Sequence, residues 1–372
     1  MKKFFRRALT AIFVVAFMIS ASVACAEVKN YTGVGEYYMS DFETPEIAKQ
    51  RAKQRAEQDA CEQAGVFVKS FSRTKNAKLD EDVIETMTSG ILKIVDVQYH
   101  RENSDDTTLF RVTIQAQIDD ADITKWLKKD SQEISTLVSQ NEALRKSNEE
   151  LARQIEELKK KIPQAKTEAD KERITQEFAA EDKKFLSNQK VDEGRKFYYQ
   201  QNFNEAEKLF DEAINLNPNN EIAYNGRGGA YSGLKKYELA IRDYDKAIEL
   251  NPNFDWAYNN RGIAYLNLKR YERAIQDFDK SLEINPNYDK AYNNRGISYL
   301  NLKRFGRAIQ DFNKSIELNQ TYDWAYNNRG WAYYCMKNYE KALKDFDKAL
   351  EINPNNTYAK NNRKACLRAL GK

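Results

Sequence analysis

Ala257-Tyr258-Asn259-Asn260-Arg261-Gly262 returns as Ala291-Tyr292-Asn293-Asn294-Arg295-Gly296 and again as Ala325-Tyr326-Asn327-Asn328-Arg329-Gly330. A degenerate copy starts at Ala223, with Gly226 in place of the second Asn. The spacing is 34 residues throughout. Self-similarity at such a period marks a solenoid, whose units bury their apolar faces only against their neighbours. In one register, five copies span residues 187–356. Position 8 carries Gly194, Gly228, Gly262, Gly296 and Gly330, and position 20 carries Ala206, Ala240, Ala274, Ala308 and Ala342. Position 24 is aromatic: Phe210, Tyr244, Phe278, Phe312 and Phe346. Small residues at 8 and 20 let two helices touch, and the aromatic fills the wider gap beside them. Pro218, Pro252, Pro286 and Pro354 at position 32 stop the second helix; the fourth copy has Gln320 there.

These positions resemble the tetratricopeptide repeat (TPR). The resemblance implies a mainly α chain, a right-handed α-solenoid of five hairpins (helix A, helix B) over residues 187–356. Residues 357–372 then form a capping helix, with Lys364 at the Gly position. Two departures stand out: Tyr224, Tyr258, Tyr292 and Tyr326 replace the usual Trp at position 4, and Arg227, Arg261, Arg295 and Arg329 replace Leu at 7. The Arg row faces Asp243, Asp277, Asp311 and Asp345, so the two rows form either an ion-pair ladder between helices or solvated charges.

The resemblance also implies a concave groove lined by helix A. Its residues here are Trp256, Lys290 and Trp324 at position 2, and Asn259, Asn293 and Asn327 at 5. Asn260, Asn294 and Asn328 follow at 6, Ile263, Ile297 and Trp331 at 9, and Tyr334 at 12. Amides at one-repeat spacing can pair with the backbone of an extended peptide, and Trp and Ile offer pockets for its side chains. The alternative is that the Asn rows and Trp256 only join adjacent A helices. Relatives that clamp a C-terminal carboxylate use Lys at 5 and Asn at 9, which this chain lacks, so that specificity is not implied.

Residues 1–26 combine Lys2, Lys3, Arg6 and Arg7 with an apolar run from Ala8 and a small-residue ending, Ala24-Cys25-Ala26. That order reads as a signal peptide cleaved after Ala26, which places the chain in the periplasm or cell envelope of a bacterium. Two alternatives stand: lipidation at Cys25, although Ser22 sits where that motif wants Leu, and an uncleaved anchor close to the shortest membrane span. The 60 Lys and Arg exceed the 56 Asp and Glu by the four charges of this leader. The remainder is balanced, which argues against nucleic acid as a partner.

Residues 27–128 read as a small α+β domain of about four strands and two helices. Strands are expected at Tyr31 to Met39, Val66 to Arg73, Ile91 to His100 and Leu109 to Ile118, with helices at Thr44 to Ala64 and Asp80 to Met87. This stretch resembles small domains of bacterial envelope proteins, among them the N-terminal domain of a flagellar assembly protein and certain outer-membrane lipoproteins. Over residues 131–162, Leu137, Leu144, Leu151 and Leu158 alternate with Asn141, Asn148 and Ile155 in heptads. Leu at d with Ile and Asn at a favours a parallel two-stranded coiled coil, hence a homodimer. The other readings are a trimer, or an amphipathic helix folded against its own chain. Residues 163–186 are expected as an exposed helical linker.

No catalytic constellation emerges. His100 is the single histidine and reads as an exposed strand residue, no phosphate loop appears, and Cys61, Cys335 and Cys366 lack metal-ligand spacing. No cofactor or metal is expected. The sequence therefore points to a non-enzymatic scaffold binding a protein or peptide, with two other classes behind it: a structural spacer of the envelope, and a cell-wall enzyme with an unrecognised site.

Overall fold

The computed structural model describes residues 28–39, 43–74, 79, 81–104, 107–127 and 131–371. The leader and Cys25 lie outside the described residues. The chain begins with β1 (Val28–Met39), α1 (Pro45–Thr74), α2 (Glu81–Ile91), β2 (Lys93–Asn103), β3 (Thr108–Asp119) and α3 (Asp120–Trp126). β3 lies in the middle of an antiparallel sheet of order β1-β3-β2. Its inward residues Phe110, Val112, Ile114, Ala116 and Ile118 face α1.

The expected strand from Val66 to Arg73 is instead the last turns of α1. Ala48, Ala52, Ala56, Ala60, Ala64, Val68 and Ser72 are all buried, a stripe with four-residue spacing that runs to the end of the helix. A four-residue step advances about 40° around a helix, so the stripe meets β1 first and reaches α2 later. At β1 the approach is as close as backbone permits. A Cβ on Gly33 would stand 1.9 Å from the Ala56 carbonyl oxygen, and one on Gly35 1.9 Å from that of Ala52. Farther along, Gly65 faces Ile84 and Thr88 of α2.

α4 (Ser131–Lys161) carries the heptads, and a 3-10 turn at Ile162–Gln164 folds it back along α5 (Glu168–Tyr199). Leu144 and Ile155 are buried within this one chain. Ile155 clusters with Ile162, Ile174, Phe178 and Phe185, and Leu151 and Leu158 pack against that cluster. Asn148 accepts from Asn188 of α5 at 3.0 Å, Asn141 is half-buried, and Leu137 lies on the first turns of α4. From Leu144 to Leu158 the seam assigned to a second copy is thus covered by its own chain. An intramolecular hairpin buries it without the association entropy that a dimer must overcome. Residues 163–186 are likewise no exposed linker, because Ile174, Phe178 and Asp182 are buried.

A buried ionic cluster ties the sheet domain to this hairpin. Arg51 of α1 pairs with Glu43 and with Asp182 of α5, and Lys159 of α4 sits 3.1 Å from Glu43. The Tyr37 hydroxyl of β1 donates to Glu43 at 2.7 Å. Outside it, Lys53 meets Glu193 at 2.7 Å and Lys196 meets Glu57 at 3.3 Å.

The second half of α5 is helix A of the first hairpin, completed by α6 (Phe203–Leu216). Four more follow: α7 (Glu221–Gly233) with α8 (Tyr237–Leu250), α9 (Asp255–Asn267) with α10 (Tyr271–Ile284), α11 (Asp289–Asn301) with α12 (Phe305–Leu318), and α13 (Asp323–Cys335) with α14 (Tyr339–Ile352). α15 (Thr357–Ala369) closes the stack against α14. Within each hairpin the position-8 glycine meets the position-24 aromatic: a Cβ on Gly262 or Gly296 would lie 2.7 Å from Phe278 or Phe312.

Candidate interaction surface of the repeats

Two ladders run along the solenoid. In the first, Arg227 donates from Nε and Nη2 to both carboxylate oxygens of Asp243, each at 2.7 Å, and from Nη1 to Asp211 of the preceding repeat. Arg261 does the same with Asp277 and Asp245, and Arg295 with Asp311 and Asp279. Arg329 grips Asp345 but reaches Asn313 where the other repeats have Asp. The rows are an ion-pair ladder and not solvated charges. The bonds to Asp243 lead in holding the Arg227 guanidinium above its ordinary value.

The second ladder is made of amides. Asn260 donates to Asn225 at 3.1 Å, Asn294 to Asn259 at 3.2 Å, Asn328 to Asn293 at 3.0 Å and Asn362 to Asn327 at 2.9 Å. Position 5 of one repeat is bridged each time to position 6 of the next. Asn259, Asn293 and Asn327 are buried under this bridge, at 3%, 3% and 4% exposure. They join adjacent A helices, whereas Asn260, Asn294 and Asn328 remain half-exposed and keep amide capacity toward the surface.

The aromatic and aliphatic candidates divide as well. Trp256 packs beside Phe254, Leu282 and Tyr288, between consecutive repeats. Lys290, Ile263 and Ile297 are half-buried. Trp324 and Trp331 are 40% and 36% exposed, among the exposed large hydrophobics of the chain. With Asn328 between them, they occupy one face of α13 by the helical spacing of four and three. The Trp331 ring stacks on Tyr334 at 5.1 Å and 11°, and Trp324 leans on Tyr358 of α15 at 5.3 Å. Tyr358 and Asn362 were not singled out from the sequence, yet they stand at positions 2 and 6 once the 34-residue register is continued into the cap.

His100 lies exposed on β2, 3.2 Å from Glu102. Among the described residues, no group of three or more His, Cys, Asp and Glu side chains could hold a metal ion. No helix among them is long and apolar enough to cross a membrane.

The tetratricopeptide repeat pattern matches residues 222–254, 256–288, 289–322 and 324–356. No curated protein matches the chain. Similar solved structures include YrrB, described as a TPR protein with an unusual peptide-binding site: 23% identity over 47% of this chain and 90% of that one, TM-score 0.40. PilF of Pseudomonas aeruginosa is 19% identical over 51% and 86%, with a TM-score of 0.47. The first TPR of Spaghetti (RPAP3), solved with the HSP90 peptide SRMEEVD, is 31% identical over 32% and 94%, with a TM-score of 0.31. The four units over residues 222–356 are tetratricopeptide repeats, a repeat from which protein-interaction scaffolds are built.

Proposed function

We propose that the chain is a non-enzymatic scaffold of the bacterial cell envelope whose helix A surface holds an extended stretch of a partner protein. The observation that carries this reading is the pair Trp324 and Trp331, large aromatics left exposed on one face of α13 with the amide of Asn328 between them. Exposed Trp and Tyr beside half-exposed amides are groups that anchor partners at interfaces. Ile263, Ile297 and the half-exposed Asn260 and Asn294 extend the same positions through the two preceding repeats. The leader read from residues 1–26 supports export, and the mass of the mature protein distinguishes cleavage after Ala26 from lipidation at Cys25.

Selection of extended peptides from a displayed library, followed by calorimetry, tests the surface. Trp324→Ala with Trp331→Ala should weaken the selected peptides by at least about tenfold, the range of a lost aromatic anchor, with the helical circular dichroism unchanged. Trp256→Ala should instead lower the melting temperature. Peptides that bind the double variant as tightly as the parent protein would refute the proposal and leave the spacer reading, in which the repeats only hold envelope components apart.

A further inference from the structure

The sheet has two edges, and the chain treats them differently. Along β1, α1 covers the free edge: Gln63 donates to the Thr32 carbonyl at 3.0 Å, Asp59 accepts from the Val34 N–H at 2.9 Å, and Arg55 donates to the Glu36 carbonyl at 2.6 Å. Helical steps of four thus satisfy backbone groups two residues apart. β2 has no such cover. Among the described residues, no side chain bonds to its outer backbone, and every residue from Lys93 to Asn103 except Val97 is exposed. Val95 and Tyr99 are left 55% and 45% exposed. An open strand of this length is a template for another strand.

We propose that this edge pairs with β2 of a second copy, antiparallel about Gln98, so that two sheets join into one of six strands. The stretch Asp96-Val97-Gln98-Tyr99-His100 is self-complementary. With Gln98 opposite itself, Asp96 faces His100, Val97 faces Tyr99, and each pair occurs twice. Carboxylate against imidazole and β-branched against aromatic are favourable cross-strand partners, and a Gln pair can bond through its amides. Pairing against β3 fixes the faces. Val97 and Tyr99 lie opposite Ile114 and Val112 on the α1 side, while Gln98 and His100 lie opposite Thr113 and Arg111 on the outer side. Lys49 of α1 caps Tyr99 at 4.2 Å and leaves the strand's outer flank open. The register irregularity between Ile94 and Asp96 confines pairing to the stretch that begins at Asp96. A neighbouring register, centred on Val97, would set Asp96 against Gln98 and leave His100 opposite Ile94, outside that stretch, so the Asp96–His100 pairs would be lost. The interface is independent of the groove and of α4, whose seam from Leu144 to Leu158 is already covered.

The experiment has two parts. Gln98→Cys in the full chain, treated in cells with a mild oxidant, should give a covalent dimer, because residue 98 alone meets its own copy. Val34→Cys on the β1 outer face should not. In sedimentation of the purified chain, His100→Asp sets carboxylate against carboxylate and should raise the dimer Kd at least tenfold. Adding Asp96→His to it restores the opposite pairing and the Kd. Circular dichroism confirms the fold of each variant. Failure of Gln98→Cys to crosslink in a folded protein, a Kd unmoved by His100→Asp, or no recovery in the double variant each overturns the proposal.

Discussion

Asn259 accepts a hydrogen bond from Asn294 of the next repeat at 3.2 Å, while its own amide reaches the Tyr288 hydroxyl at 3.4 Å. One buried side chain therefore links a helix A to the helix A after it and to the loop between them. Asn259→Ala leaves the Asn294 amide and the Tyr288 hydroxyl without that partner. It should cost about 1–3 kcal/mol, the range for orphaned buried polar groups. Chemical denaturation measures it. Asn260→Ala, at a half-exposed position, should cost less and act on ligand affinity.

Glycine to alanine should change sign with position. At Gly262 the new Cβ would stand 2.7 Å from the Phe278 ring, and overpacking of this kind costs about 1–3 kcal/mol. At Gly306, in the first turn of α12, nothing lies within 4 Å. There the reduced freedom of the unfolded chain should stabilise by about 0.5–1 kcal/mol. Melting curves of the two single variants check this. Gly262→Ala combined with Phe278→Leu should be less harmful than the sum of the two, because both changes act on one contact.

Acid should loosen the joint between sheet domain and solenoid. Burial would push the Glu193 carboxyl up, but Lys53 and then Lys190 outweigh it and hold it below its ordinary value. A depressed carboxylate contributes stability above its unfolded pKa of about 4.3, and the contribution is lost as pH falls through the folded value. The melting temperature should therefore drop below about pH 4, and Glu193→Gln should flatten that acid limb while lowering stability at neutral pH. Equal slopes for both proteins between pH 5 and 3 would exclude Glu193 from the effect.

The repeats were legible because each unit sees the same surroundings: Gly at 8, Ala at 20 and an aromatic at 24 recur where the same contact recurs. The Arg and Asp rows could be paired on paper for that reason. Three things were hidden. Val66 to Arg73 has strand-like residues, and only the continuing four-residue stripe through Val68 and Ser72 shows that α1 goes on. The heptads of α4 record an apolar seam but not what covers it, since a partner helix from the same chain satisfies Leu144 and Asn148 as well as one from a second copy. The Asn rows looked like one binding surface, yet position 5 points into the stack and position 6 out of it, a distinction that depends on the tilt between neighbouring A helices.

Each A-to-B turn passes through the left-handed region without a glycine: φ is 62° at Gln201 in the first turn, and 61°, 60°, 57° and 61° at Lys235, Lys269, Lys303 and Lys337 in the next four. An L-residue there costs about 1–2 kcal/mol that glycine does not, offset by the roughly 0.5–1 kcal/mol of extra freedom glycine has when unfolded. Lys269→Gly should therefore stabilise by up to about 1 kcal/mol, and Lys269→Val, branched at Cβ, should destabilise. The turns are one repeat apart and share no partner, so the four glycine variants should add within a few tenths of a kcal/mol each. Denaturation midpoints of the single and quadruple variants measure both claims. A quadruple variant no more stable than the parent would mean that the lysine side chains contribute packing at the turns equal to the backbone cost.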